Sequence, residues 1–260
     1  MSAHKNGSST VANGEFAGRT LREVYLEHPE LGGKNCAGFS DFPVLIKFID
    51  AAADLSVQVH PDDAYCLKKG SGAGKTESWY ILDCEPGAYL LLGFEKDITR
   101  EQFRQSITDG TLTDYVKKVP VKKGDFFFIE SGTLHAICKG ILLAEVQQNS
   151  DTTYRIYDYG RLGFDGKPRE LHVEDAVNVT HTKIPARRKK TATSLILSPA
   201  RSLLREFLIS TVLLTALRTK NLLCHFLFLT AQACSNARAR LLIFQRAAAF
   251  SFPQTAATTK

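Results

Sequence analysis

Gln58, His60, Glu77 and His135 have the types and spacing to hold one metal ion. Gln58 and His60 lie in the stretch Leu55-Ser56-Val57-Gln58-Val59-His60-Pro61-Asp62-Asp63. An extended strand turns alternate residues to one face. Val57 and Val59 then face one way and Gln58 and His60 the other, which sets an amide oxygen beside an imidazole. Glu77 closes Gly74-Lys75-Thr76-Glu77, and His135 sits in Gly132-Thr133-Leu134-His135-Ala136-Ile137. Two neutral imidazoles, one carboxylate and one amide carry a single negative charge, so a bound dication keeps a net charge of about +1. Borderline N/O donors suit zinc, at roughly 2.0–2.2 Å. With a position open to water or substrate, such an ion is a Lewis acid toward a carbonyl or hydroxyl oxygen. Either histidine alone is equally an ordinary satisfied residue. The four in one pattern point to a metal centre, with one Zn2+ per chain as its expected occupant.

The elements that must position these residues are mostly strands. Phe42 to Ile49 is apolar and contains one early proline, as a buried strand does. Ser78 to Asp83, Ala88 to Leu92, Asp125 to Ile129 and Ile141 to Gln147 are further strand candidates, with turns at Pro86-Gly87, Gly124-Asp125 and Ser131-Gly132. Helices are short. Thr20-Leu21-Arg22-Glu23 has capping-box spacing and opens a helix to about Glu27. Thr99-Arg100-Glu101-Gln102 opens another, and Thr111 to Val119 is expected to form a third. Pro61 is expected in the first turn of a helix near Asp62 to Lys68, where its missing N–H costs little. Asp62 and Asp63 are then helix N-terminal charges rather than ligands. The sum is a mainly β, α+β domain with peripheral helices.

The metal-binding pattern resembles the cupins. Their first motif has two ligands one residue apart, a glutamate and a glycine, matched here by Gln58, His60, Glu77 and Gly87. Their second runs from Gly124 through Gly132 to His135, with Glu130 where the cupin pattern has proline. The resemblance narrows to type I mannose-6-phosphate isomerase, in its short bacterial form. It rests on Gln-x-His-Pro-Asp-Asp at 58–63, Gly-Lys-Thr-Glu-x-Trp-Tyr at 74–80, Ser150-Asp151-Thr152-Thr153-Tyr154-Arg155-Ile156-Tyr157-Asp158-Tyr159, and Arg169-Glu170-Leu171-His172. It runs from about Ser2 to His181.

This resemblance implies a jelly-roll β-barrel or sandwich, one zinc on Gln58, His60, Glu77 and His135, and interconversion of mannose 6-phosphate and fructose 6-phosphate through a cis-enediol(ate). It matches Arg155 to the family's arginine near the reacting carbons and Glu145 to a candidate acid/base. Ser56 and Lys75 match residues linked to substrate or phosphate. A guanidinium or metal stabilises enediolate charge, cations bind phosphate, and a carboxylate in a dry pocket can take a carbon acid's proton. The base stays open between Glu145, metal-bound hydroxide, His60 and Lys75. Arg155 could instead pair with Asp151 or Asp158, and Lys75 could be a solvated loop residue. An iron cupin oxygenase and a sugar-phosphate-binding cupin without turnover are the rival classes. Gln58 in place of a first histidine argues against the oxygenase.

Composition divides the chain at about residue 182. Residues 183–260 hold thirteen Lys/Arg and one acidic residue, Glu206, while residues 1–182 have a net charge of −6. All eighteen glycines lie at or before Gly166. A β domain makes its turns with glycine, so 183–260 does not resemble the family's second sandwich. We expect 1–182 to be the metal-binding domain, lacking strands that precede it in the family. We expect 183–260 to be a non-native, frame-shifted tail or, in the alternative, a basic appendage for nucleic acid or anionic lipid through Arg187-Arg188-Lys189-Lys190. The apolar runs Phe207 to Leu217 and Leu222 to Leu229 are too short to span a bilayer. The six cysteines show no Cys-x-x-Cys pair, and the N-terminus is polar. These features fit the cytoplasm. The resemblance implies a hexose 6-phosphate as small-molecule partner; a monomer is the default expectation, with neither nucleic acid nor membrane as partner.

Overall fold

The computed structural model describes residues 1–33, 36, 38–163 and 165–184. The basic tail, its Arg/Lys run and its two apolar runs lie outside the described residues.

Two antiparallel sheets face each other. One has four strands in the order β3 (Val44–Ala51), β10 (Ile141–Gln148), β5 (Glu77–Cys84), β8 (Phe126–Ile129). The other has five, in the order β11 (Tyr154–Tyr157), β4 (Val57–Val59), β9 (His135–Ile137), β6 (Tyr89–Phe94), β7 (Val116–Pro120). The chain passes repeatedly from one sheet to the other, as in a jelly roll. A two-stranded ribbon, β1 (Ala3–His4) and β2 (Gly7–Ser8), precedes them. The expected mainly β class is therefore the observed one.

Between the sheets lies an apolar layer of Trp79, Ile81, Leu90, Ile129, Ile137, Ile141 and Leu143. The opposite face of the five-stranded sheet, with Val57, Val59, Leu91, Ala136 and Ile156, packs on Phe103 of α3 (Arg100–Thr108) and on Ala176 and Val177 of α4 (Val173–Val179). Alternation along each strand thus gives one row to each layer.

Most expected strands are present within one or two residues of their predicted ends. The capping boxes at Thr20 and Thr99 are both formed, opening α1 (Leu21–Glu27) and α3. Two expectations are corrected. Residues 111–119 are not a helix but a short 3-10 turn, Leu112–Asp114, followed by β7. Leu112, Val116 and Val119 have helical spacing, but the β-branched valines and the unpaired edge of β6 favour a strand, with Leu90 opposite Val119 and Phe94 opposite Val116. Pro120 is tolerated because β7 is an edge. Pro61 also does not enter a helix. Asp62 is the N-cap of α2 (Asp63–Lys69), its carboxylate accepting from the Tyr65 N–H at 2.7 Å, and Pro61 precedes it. α4 was not expected.

One turn bears directly on the histidines. Gly132 has φ +83°, and its N–H donates to the His60 carbonyl at 2.8 Å while its own carbonyl accepts from His181 N–H at 2.8 Å. A Cβ there would lie 2.7 Å from His181 Nε2 and 2.9 Å from the Val179 carbonyl. Gly87 has the same φ, +83°, with open space around it. Gly87→Ala should therefore cost only backbone strain, about 1–2 kcal/mol, whereas Gly132→Ala should cost clearly more. Urea midpoints of the two variants check the difference.

Candidate metal centre

Cross-strand register brings the chemistry-bearing residues together on the inner faces. In the five-stranded sheet Arg155 pairs with Gln58, and Gln58 with His135, so the three share one face. His60 follows two residues after Gln58 on that face. In the facing sheet Lys47, Glu145 and Trp79 form one row, and Gln147 and Glu77 the next.

His60, Glu77 and His135 converge, with one potential ligand atom from each all within 4.8 Å of one another. His60 Nε2 lies 3.1 Å from Glu77 Oε1, and His135 Nε2 lies 3.8 Å from Glu77 Oε2. The Gln58 carboxamide is 3.3 Å from His135 Nε2. Four atoms bound tetrahedrally at about 2.1 Å would stand roughly 3.4 Å apart, so these separations fit a zinc-sized ion. A half-turn of the Gln58 amide would present its oxygen in place of its nitrogen.

The surroundings prepare the ring nitrogens for that role. His60 Nδ1 lies 3.0 Å from the Thr152 carbonyl and His135 Nδ1 2.9 Å from the Thr133 carbonyl. A carbonyl only accepts, so each ring carries its proton on Nδ1 and turns a lone pair on Nε2 inward. His60 Nε2 and both Glu77 oxygens are buried without a hydrogen-bond partner among the described residues, though Oε1 is ion-paired with Lys75 Nζ at 3.0 Å. Buried polar atoms are nearly always satisfied. These three atoms are placed where they could hold an ion.

Electrostatics agree. Burial, then neighbouring His60, pulls His135 down to about 4. Burial likewise lowers His60, against the pull of Glu77. Burial opposes charge on Glu77, but His60 and Lys75 outweigh it and hold the carboxyl well below its usual range. With His60 itself driven toward its neutral form, the standing cation beside Glu77 is Lys75, its Nζ 3.0 Å from Oε1.

The remaining expected residues surround this cluster. Ser56 is buried with its hydroxyl 3.5 Å from Gln58 Oε1. Lys75 is buried at 5% exposure, so it is not a solvated loop lysine. Glu145 accepts from Trp79 Nε1 at 3.0 Å and from Lys47 Nζ at 2.8 Å, and the Trp79 ring stands edge-on to His135 at 5.2 Å. Burial and then Glu77 raise the Glu145 pKa, against Lys47 and Lys75. Arg155 pairs with neither Asp151 nor Asp158. Asp158 is held by Arg161 and Arg169, and Asp151 lies near Asn6 and His4. Arg155 instead donates to the Glu170 carbonyl at 3.3 Å, and its Nε has no partner among the described residues. Among the described residues no hydrogen bond or ion pair joins Arg155 to Lys75 or Ser56.

Lys47, Trp79 and Gln147 were not among the expected site residues. Lys47 had a signal, since it is the one charge within Val44-Leu45-Ile46-Lys47-Phe48-Ile49. Gln147 shares the strand parity of Glu145. The Thr133 and Thr152 carbonyls had none, because backbone acceptors leave no trace in residue type.

A histidine whose folded pKa lies below its unfolded value near 6.5 takes its proton first in the unfolded chain. The metal-free domain should therefore lose stability as pH falls from 6.5 toward about 4. In His135→Asn this contribution is absent. Urea midpoints in chelator across that range should fall less steeply for the variant.

Residues 1–80 match the catalytic domain of type I phosphomannose isomerase. A probable mannose-6-phosphate isomerase of Bacillus subtilis is 51% identical over 183 residues, covering 69% of this chain and 56% of that protein. The crystal structure of mannose 6-phosphate isomerase from Bacillus subtilis superposes with a TM-score of 0.66 at 41% identity, covering 75% of this chain and 62% of that one. A mannose 6-phosphate isomerase structure bound with zinc and yttrium shares the fold at a TM-score of 0.51 and 18% identity, over 72% of this chain and 66% of that one. The chain spans 56–59% of the length of the curated relatives it matches. Across the matched residues, in sequence and in fold, the chain belongs to the type I phosphomannose isomerase family.

Proposed function

We propose that the chain is an aldose–ketose isomerase that interconverts mannose 6-phosphate and fructose 6-phosphate, with one Zn2+ held by Gln58, His60, Glu77 and His135. The observation that carries this reading is the convergence of buried His60, Glu77 and His135, with His60 Nε2 and Glu77 Oε2 lacking a hydrogen-bond partner among the described residues. When bound, zinc supplies Lewis-acid polarisation of a substrate carbonyl or hydroxyl oxygen.

The chain's own residues supply the rest. Glu145 is the general base: it takes the proton from C2 of the aldose and returns it to C1 of the cis-enediol(ate), while a hydroxyl proton passes from O2 to O1. Burial suits it to this, because desolvation makes a carboxylate more basic. Lys47 and Trp79 hold one oxygen each, which aims the carboxylate. Arg155, on the face that carries Gln58 and His135, offers an unpaired guanidinium nitrogen to the enediolate oxygens. Lys75 shares Glu77 Oε1. Its buried ammonium would serve the anionic substrate, and Ser56 beside Gln58 would supply a hydroxyl donor.

Purified chain loaded with zinc should convert fructose 6-phosphate to mannose 6-phosphate. Activity should fall by at least about 100-fold on chelation, in His135→Ala and in Glu145→Gln. No turnover with stoichiometric zinc bound would show a sugar-phosphate-binding or inactive fragment instead, and full activity in chelator would remove the metal from the reaction.

A further inference from the structure

Gln147 stands next to the centre and is fully buried, at 0% exposure. It lies two residues beyond Glu145 on the same face of β10 and opposite Glu77 of β5. Its carboxamide has no freedom to flip. Nε2 donates to two backbone carbonyls, of Gln148 at 2.9 Å and Ser150 at 2.8 Å. Carbonyls cannot donate, so only the nitrogen can occupy that side, and Oε1 is left facing the interior. There it accepts from Lys47 Nζ at 2.5 Å, and the same ammonium donates to Glu145 Oε1 at 2.8 Å.

We propose that Gln147 is a positioning residue of this centre: its locked carboxamide anchors the Lys47 ammonium against Glu145, and so aims the carboxylate. Lys47 is a long side chain that is 40% exposed and reaches the interior from the edge strand β3. An ion pair between a mobile lysine and a carboxylate is a weak geometric constraint. A second acceptor fixed to the backbone converts it into a defined one. Glu145 is then gripped at both oxygens, by Lys47 and by Trp79 Nε1, and Gln147 acts on it only through Lys47. The catalytic consequence rests on Glu145 being the base. The structural consequence does not.

Trp79 is the chain's only tryptophan, and its indole N–H donates to Glu145. Its N–H resonance therefore reports on the carboxylate whether or not the protein is active. Gln147→Leu and Lys47→Met should each move that resonance in the zinc-loaded protein. Each should lower kcat roughly 10-fold with little change in KM, because orientation rather than binding is lost. The double variant should be no worse than the more severe single one, since both substitutions cut the same link. Should Gln147→Leu fail to give a dispersed spectrum, Gln147→Met makes the same comparison. The proposal is overturned if the Gln147 variant, with metal content retained, keeps the wild-type resonance and kcat. It is also overturned if its effects multiply with those of Lys47→Met. A chain that shows no isomerisation would refute the proposed reaction but leave the resonance comparison to decide this inference.

Discussion

Keeping Glu77 charged in the buried interior of a β-sandwich is the constraint on which the rest of the site depends. Its side chain is 1% exposed. An isolated buried carboxylate costs several kcal/mol, and breaking a buried ion pair typically costs about 3–5 kcal/mol. Lys75 supplies one cation at 3.0 Å, and two imidazoles turn their Nε2 atoms toward the carboxylate. Lys75 pairs with Oε1, while Oε2 has no hydrogen-bond partner among the described residues. A divalent ion held by His60, Glu77 and His135 would satisfy the atoms left without hydrogen bonds. The scaffold is arranged around that solution.

The arrangement follows from register. A slip of one residue in β4 would turn Gln58 and His60 to the helix-covered face and bring Val57 and Val59 inward. The apolar layers prevent it: Val57 and Val59 are fully buried against α3 and α4, and Ile81, Ile141 and Leu143 fill the space between the sheets. Packing energy thus fixes chemical geometry. The turn at Gly132 adds a backbone link between the segments that carry His60 and His135.

Much of this was legible from residue types. The alternation of Val57, Gln58, Val59 and His60 placed two candidate ligands on one face, and β4 has that parity. The capping boxes at Thr20 and Thr99 located two helices because the signal is local and complete. Residues 111–119 misled because helical spacing of Leu112, Val116 and Val119 says nothing about the vacant edge of β6, which is a tertiary fact. Lys47 and Gln147 escaped for the same reason. Their importance arises from a strand 98 to 100 residues away in sequence. The carbonyls that set the histidine tautomers come from irregular segments just before β9 and β11, and no side chain marks them.

The central claim is that the His60–Glu77–His135 cluster with Gln58 is a metal centre of nitrogen and oxygen donors. X-ray absorption at the zinc edge, on zinc-loaded chain with metal content measured in parallel, tests it most directly. One zinc per chain with N/O scatterers at about 2.0–2.1 Å, lost in Glu77→Gln, is the predicted result. Sulfur scattering near 2.3 Å would place the ion on cysteines, and no stoichiometric metal at neutral pH would mean that Lys75 and the two histidines satisfy Glu77 by themselves. Either result would contradict it.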